Sequence, residues 1–75
     1  MTADTVPMHF RRFVGNRRVT LAYLQKAKQA AEGGNQTTAR MYLSKAYQQY
    51  IRDGNLDLDW INAKVEDMER KYNIR

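Results

Sequence analysis

Short glycine-containing breaks divide this chain into segments whose length and periodicity suit helices. Gly33-Gly34 and Asp53-Gly54 separate three periodic segments, and Gly15 sets a short basic segment apart from the first of them. Glycine ends helices readily because it adopts the left-handed backbone conformation without steric cost. No alternation of apolar and polar residues continues long enough to predict a strand. The sequence therefore predicts an all-α fold: a small three-helix domain, made of an antiparallel helical hairpin plus a third amphipathic helix, with a short basic N-terminal segment.

Apolar periodicity predicts helices at about 16–32, 37–53 and 58–72. The predicted apolar stripes comprise Val19, Tyr23, Leu24, Ala27, Ala30 and Ala31 in the first helix, Ala39, Tyr42, Leu43, Ala46, Tyr47 and Tyr50 in the second, and Leu58, Ile61, Val65, Met68 and Tyr72 in the third. Of these residues, Tyr47 and Tyr50 are expected to remain at the surface rather than fill the core. Asn16 and Asp57 are predicted N-caps, and Gly33 is predicted to end the first helix in the left-handed conformation. A short loop should fold the first two helices back antiparallel.

Residues 1–7 are small, polar and aperiodic, which predicts a disordered N-terminal tail followed by a single helical domain at 8–75. The third helix has an apolar seam of about two heptads. That seam could pack on the hairpin or on a second copy of the chain. Packing on the hairpin is the favoured alternative, and self-association stays open.

The first two predicted helices also carry the spacing of a helix-turn-helix repeat unit. The residues concerned are Tyr23, Ala27, Ala30, Gly34, Ala39, Leu43 and Ala46. Their spacing resembles one tetratricopeptide-repeat hairpin, a family whose repeats stack to form peptide-binding grooves. Lys26 stands where that family usually has a large apolar residue, Ile51 replaces its closing proline, and no second copy follows. We interpret the match as the general packing of a helical hairpin.

Composition disfavours an enzyme, a metalloprotein and a membrane protein. The 75 residues include one histidine and no cysteine, and the chain has no glycine-rich phosphate-binding loop. No apolar stretch is long enough to cross a bilayer, and the amino terminus lacks the pattern of a secretory signal. We therefore expect a non-enzymatic, cytoplasmic protein without metal or cofactor.

Basic residues are concentrated in the first two thirds of the chain. Up to Arg52 the chain has nine basic and two acidic residues, and from Asp53 onward it has four basic and six acidic ones. A cluster near the amino terminus is a candidate site for anions or nucleic acid, and it comprises Arg11, Arg12, Arg17 and Arg18. Basic residues that could extend it are Lys26, Lys28, Arg40 and Lys45. The alternative is an ordinary solvated surface, although Arg17 and Arg18 begin a helix, where the helix dipole disfavours cations.

Aromatic residues indicate protein binding instead. Tyrosine and tryptophan are common at interfaces because they bury a large area while a polar group stays satisfied. Tyr47, Tyr50 and Trp60 are the candidate protein-binding residues. We therefore hypothesise an adaptor, regulator or stoichiometric inhibitor that uses tyrosine- and tryptophan-rich helix faces, with basic residues steering the approach. The alternative is a protein that contacts DNA or RNA phosphates through the arginine cluster.

Overall fold

The computed structural model describes residues 16–74, and these form three α-helices with no strand among them. α1 spans Arg18–Glu32, α2 spans Gln36–Arg52 and α3 spans Leu58–Lys71. The predicted all-α, three-helix fold is confirmed, and each helix boundary lies within two residues of its predicted position. The tail predicted at 1–7 lies outside the described residues, so the division into tail and domain stays a prediction. None of the described helices is long and apolar enough to span a bilayer.

α1 and α2 form an antiparallel hairpin with closely packed axes. The Thr20 hydroxyl near the start of α1 lies 3.5 Å from the Ala46 carbonyl oxygen toward the end of α2. One turn further along α1, the rings of Tyr23 and Tyr42 stack with their centres 6.1 Å apart. Thr20 and Ala46 are both fully buried between the helices, and their small side chains allow α1 and α2 to approach closely.

α3 runs antiparallel to α2 and packs on the hairpin. At its start, the Trp60 ring stacks on Tyr50 at the end of α2. At its end, Glu69 Oε2 accepts a hydrogen bond of 2.6 Å from Arg40 Nη1 near the start of α2. The third helix therefore packs on the hairpin of its own chain.

All three helices end with a residue in the left-handed conformation. At the end of α1 the amide of Asn35 donates to the Ala30 carbonyl at 2.8 Å, which closes a Schellman turn. Gly34 is the left-handed residue of that turn, with φ 83°. The prediction that Gly33 takes this conformation is wrong: Gly33 has φ −84° and serves as the C-cap. Gly54 and Asn73 take the left-handed position after α2 and α3, with φ 85° and 54°.

Side-chain caps begin two of the helices. Asp57 Oδ1 accepts from the backbone amide three residues on, as predicted, and Asn35 Oδ1 does the same for α2. Asn16 is not the N-cap residue, because α1 begins one residue later and Arg17 occupies that position. The Asn16 side chain nevertheless accepts a hydrogen bond of 2.8 Å from the Arg18 amide.

A small apolar cluster forms the core between the helices. Its buried members are Leu24, Ala27, Ala39, Leu43, Ala46 and Ile74. Two residues of the predicted apolar stripes are half exposed, since Val19 is 38% exposed and Leu58 is 43% exposed. Thr20, and not its neighbour Val19, is buried against α2. Adjacent helical residues point about 100° apart, so the two side chains cannot both face α2. The smaller Thr20 side chain allows α2 to pack more closely.

Ile74 was not predicted as a core residue, yet it is 96% buried. The turn after α3 bends the chain back, and the Ile74 amide donates to the Glu69 carbonyl at 3.0 Å. This turn places Ile74 in the core cluster, and Met68 also packs against that cluster. A hydrophobic contact of this kind usually accompanies a Schellman turn. The Arg40 guanidinium also reaches the Ile74 carbonyl, at 3.5 Å.

Candidate binding surfaces

A stack of Arg17, Trp60 and Tyr50, called the aromatic stack below, closes the end of the domain where α1 begins and α2 ends. The Tyr50 and Trp60 ring centres are 5.3 Å apart and their planes are 20° from parallel. The Arg17 guanidinium carbon lies 4.2 Å from the centre of the Trp60 ring and 5.8 Å from that of Tyr50. Arg17 Nε is buried without a hydrogen-bond partner among the described residues. The two rings therefore contribute cation–π stabilisation to this partly buried cation.

Tyr50 is an internal residue of this stack. Its side chain is fully buried, and its hydroxyl donates a hydrogen bond of 2.6 Å to the Asp57 carbonyl oxygen. The expectation that Tyr50 is exposed to a partner is wrong, because Trp60 covers its ring. Trp60 is half-buried itself, and Lys64 Nζ lies 5.6 Å from its ring centre.

The aromatic stack also explains the presence of Arg17 at the start of α1. Arg17 is half-buried against Trp60, whereas Arg18 is exposed. A cation at a helix N-terminus is electrostatically unfavourable, and here the ring contacts offset that cost for Arg17. The other two members of the predicted cluster, Arg11 and Arg12, lie outside the described residues.

A groove between α2 and α3 is the candidate protein-binding surface, called the α2–α3 groove below. It is lined by Arg40, Leu43, Ser44, Tyr47, Gln48 and Val65. Tyr47 and Val65 are both half-buried. Ile51 follows Tyr47 by one turn, and Leu58 precedes Val65 by two turns. Because the helices are antiparallel, helical spacing places both residues between the lining of the groove and the loop that joins α2 to α3, and they are 48% and 43% exposed.

The structure does not bring the three predicted protein-binding residues onto one surface. Tyr47 lines the α2–α3 groove together with Val65. Trp60 precedes Val65 by five positions, which places it about 140° away around α3. Trp60 and Tyr50 lie together in the aromatic stack, on another side of the helix. Among the described residues, the α2–α3 groove is therefore lined by Tyr47 and not by Tyr50 or Trp60.

A second surface, called the basic tyrosine face below, lies on the hairpin. Its cleft is lined by Tyr23, Lys45, Gln48, Gln49 and Arg52. Tyr42 stacks on Tyr23, and Lys26 Nζ lies 5.9 Å from the centre of the Tyr42 ring. Tyr42 is five positions from Tyr47 on α2, so it points away from the side that faces α3.

The structure separates the basic residues that the sequence grouped together. Lys26 and Lys45 lie on the basic tyrosine face, and Lys28 lines a groove between α1 and α3. Arg40 forms an ion pair with Glu69. Sequence reasoning missed Arg52 on this face, although its seven-residue spacing from Lys45 is visible in the sequence.

In the described part of the chain, no group of three or more histidine, aspartate or glutamate side chains converges in the manner of metal ligands. No protein-family model, curated protein or solved structure matches this chain.

Proposed function

We propose that this protein is a small non-enzymatic docking protein whose α2–α3 groove binds an amphipathic helix of another protein. In that role it acts as an adaptor, regulator or stoichiometric inhibitor, and we expect it to act in the cytoplasm. The observation that carries the proposal is the exposure of Ile51 and Leu58, one from each helix that borders the groove. A partner that covered the exposed half of each side chain would gain about 1 kcal/mol of binding free energy per side chain.

The shape and chemistry of the groove suit a helix. Two antiparallel helices flank it, and each contributes apolar side chains at one-turn or two-turn intervals: Tyr47 with Ile51, and Leu58 with Val65. A helix with apolar residues at positions i, i+3, i+4 and i+7 presents a matching ridge. Tyr47 adds ring area with a hydroxyl that can stay at the wet edge of such a contact.

The two ends of the groove differ in polarity, which favours one direction of the bound helix. One end has the exposed aliphatic pair, Ile51 and Leu58. The other end has the ion pair of Arg40 and Glu69. A partner helix that is apolar at one end and polar at the other matches this gradient in one orientation only.

The test is affinity capture from a lysate of the native cell by three forms of the full chain. The groove variant carries Ile51→Glu and Leu58→Glu. The control variant carries Val19→Glu and Leu21→Glu, which are 38% and 49% exposed on α1, a helix that contributes no lining residue to the groove. Both variants add two negative charges and remove two exposed aliphatic side chains. Circular dichroism and urea unfolding must show that both remain folded.

We expect the wild type and the control variant to retain the same proteins, and the groove variant to lose them. Equal capture by all three forms would show that the groove is not the docking site. Equal loss in both variants would also reject it, because any exposed aliphatic residue would then have the same effect. Sedimentation of the purified chain tests the remaining alternative: a self-association that the groove variant abolishes would identify the occupant as a second copy.

A further inference from the structure

The basic tyrosine face has a charge pattern that the proposed docking groove does not use. Lys26, Lys45 and Arg52 are all exposed there. The acidic side chain next to them is Asp53, which is half-buried and accepts a hydrogen bond of 2.9 Å from Gln49 Nε2. Three exposed cations therefore stand beside one partly enclosed carboxylate, so these four side chains together are net positive.

The three cations form a row along the hairpin. Thr20 lies level with Ala46, and Tyr23 lies level with Tyr42. Continuing this antiparallel register places Lys26 level with about position 39 of α2. From that level to Arg52 is about 20 Å at 1.5 Å per helical residue, with Lys45 between them. A stacked nucleic-acid strand advances about 3.4 Å per phosphate, so the row spans about six phosphates.

The other groups on the face favour a nucleic acid over an acidic protein. The cleft is lined by lysine, arginine, two glutamines and one tyrosine, without an aliphatic side chain to anchor a protein. Lysine, arginine, glutamine and tyrosine are the side chains that usually contact phosphate and sugar. Tyr23 and Tyr42, both half-buried, place aromatic rings near the cations, and single-strand binding proteins combine aromatic rings with a basic groove.

We infer that the basic tyrosine face binds single-stranded nucleic acid through its phosphates, without sequence specificity. Lys26, Lys45 and Arg52 contact successive parts of the backbone, and Gln49 and the tyrosine hydroxyls donate to phosphate or sugar oxygens. This inference does not rest on the docking groove, which lies on the side of α2 that faces α3.

Fluorescence anisotropy of a labelled single-stranded 12-mer of thymidine nucleotides tests the inference, with the full chain in about 50 to 200 mM salt. The face variant carries Lys26→Gln, Lys45→Gln and Arg52→Gln. The control variant carries Lys64→Gln, Arg70→Gln and Lys71→Gln on α3, and it loses the same three charges. Three phosphate contacts correspond to a slope of about −2 in a plot of log K against log salt, or about a 20-fold loss of affinity over this range.

We expect the face variant to have a slope shallower by about two, and the control variant to keep most of the wild-type slope. The inference is overturned if the wild type shows no binding at the lowest salt, or if both triple variants lose affinity equally. Loss of binding in an Arg11→Gln, Arg12→Gln variant, with the face variant unaffected, would move the site to the N-terminal cluster. Tighter binding of duplex DNA, or equal competition by an oligoglutamate of the same length, would reject the single-stranded ligand.

Discussion

The Arg17 guanidinium carbon lies 4.2 Å from the centre of the Trp60 ring, and this contact joins the residue before α1 to the first turn of α3. The two residues are 43 positions apart in the chain. Trp60 in turn covers Tyr50 at the end of α2, so one stack connects all three helices. A domain with such a small aliphatic core gains a substantial part of its cohesion from an aromatic end of this kind.

Replacing Arg17 should destabilise the fold, whereas replacing its neighbour should not. Arg17→Gln removes the cation from the Trp60 ring, which we expect to cost about 1 kcal/mol and to lower the Tm by about 5 °C. Arg18→Gln is the matched control, because Arg18 is exposed and its charge opposes the helix dipole. Urea unfolding of both variants measures the difference. Equal effects would mean that the Arg17 contact contributes nothing to stability.

The Tyr50 hydroxyl should contribute measurably to stability through a single hydrogen bond. Tyr50→Phe removes the 2.6 Å bond to the Asp57 carbonyl and leaves that acceptor without it, at a cost of about 1 kcal/mol. Tyr47→Phe removes a hydroxyl from a half-buried ring of the same helix, and we expect it to change the free energy of unfolding by less than about 0.5 kcal/mol. Chemical denaturation of the two variants measures the difference in their free energies of unfolding. A loss of stability in Tyr47→Phe as large as that in Tyr50→Phe would contradict the prediction.

The two glycines between α1 and α2 should respond in opposite ways to alanine. Gly34 has φ 83°, so Gly34→Ala forces a side chain into the left-handed region at a cost of about 1 to 2 kcal/mol. Gly33 has φ −84°, and a Cβ there would meet its nearest atom, the Gln29 carbonyl oxygen, at an ordinary 3.5 Å. Gly33→Ala should therefore stabilise the protein by about 0.5 kcal/mol through the unfolded state. Thermal melts of both variants test the assignment, which fails if the signs are reversed.

Ile74 should matter to stability although it lies beyond the last helix. Ile74→Ala empties a site that is 96% buried, so we expect a loss of about 2 kcal/mol or more. Ile51→Ala changes the same side chain at a position that is 48% exposed, and it should cost less than half as much. Comparison of the two urea midpoints measures this difference. Similar midpoints would indicate that the C-terminal turn is not docked in solution.

Local sequence was sufficient to predict the helices and most of their ends. Apolar residues recurring every three or four positions identify a helix within a single segment, and glycine or a capping carboxylate marks where it stops or starts. Asp57 was predicted correctly as a cap for this reason. The sequence prediction assigned the left-handed conformation to Gly33 instead of Gly34. The assignment depends on the exact residue at which the last turn of α1 ends, and the prediction was off by one residue.

Only the tertiary structure decided which side chains are internal and which surfaces exist. Whether Thr20 or Val19 faces the core depends on how α1 is rotated toward α2, and periodicity alone specifies such a rotation only coarsely. Tyr50 is covered because α3 brings Trp60 over it, and Ile74 is buried because the chain turns back after α3. These are contacts between residues far apart in the chain, formed by packing energy that no single segment contains, so they could not be predicted from local spacing.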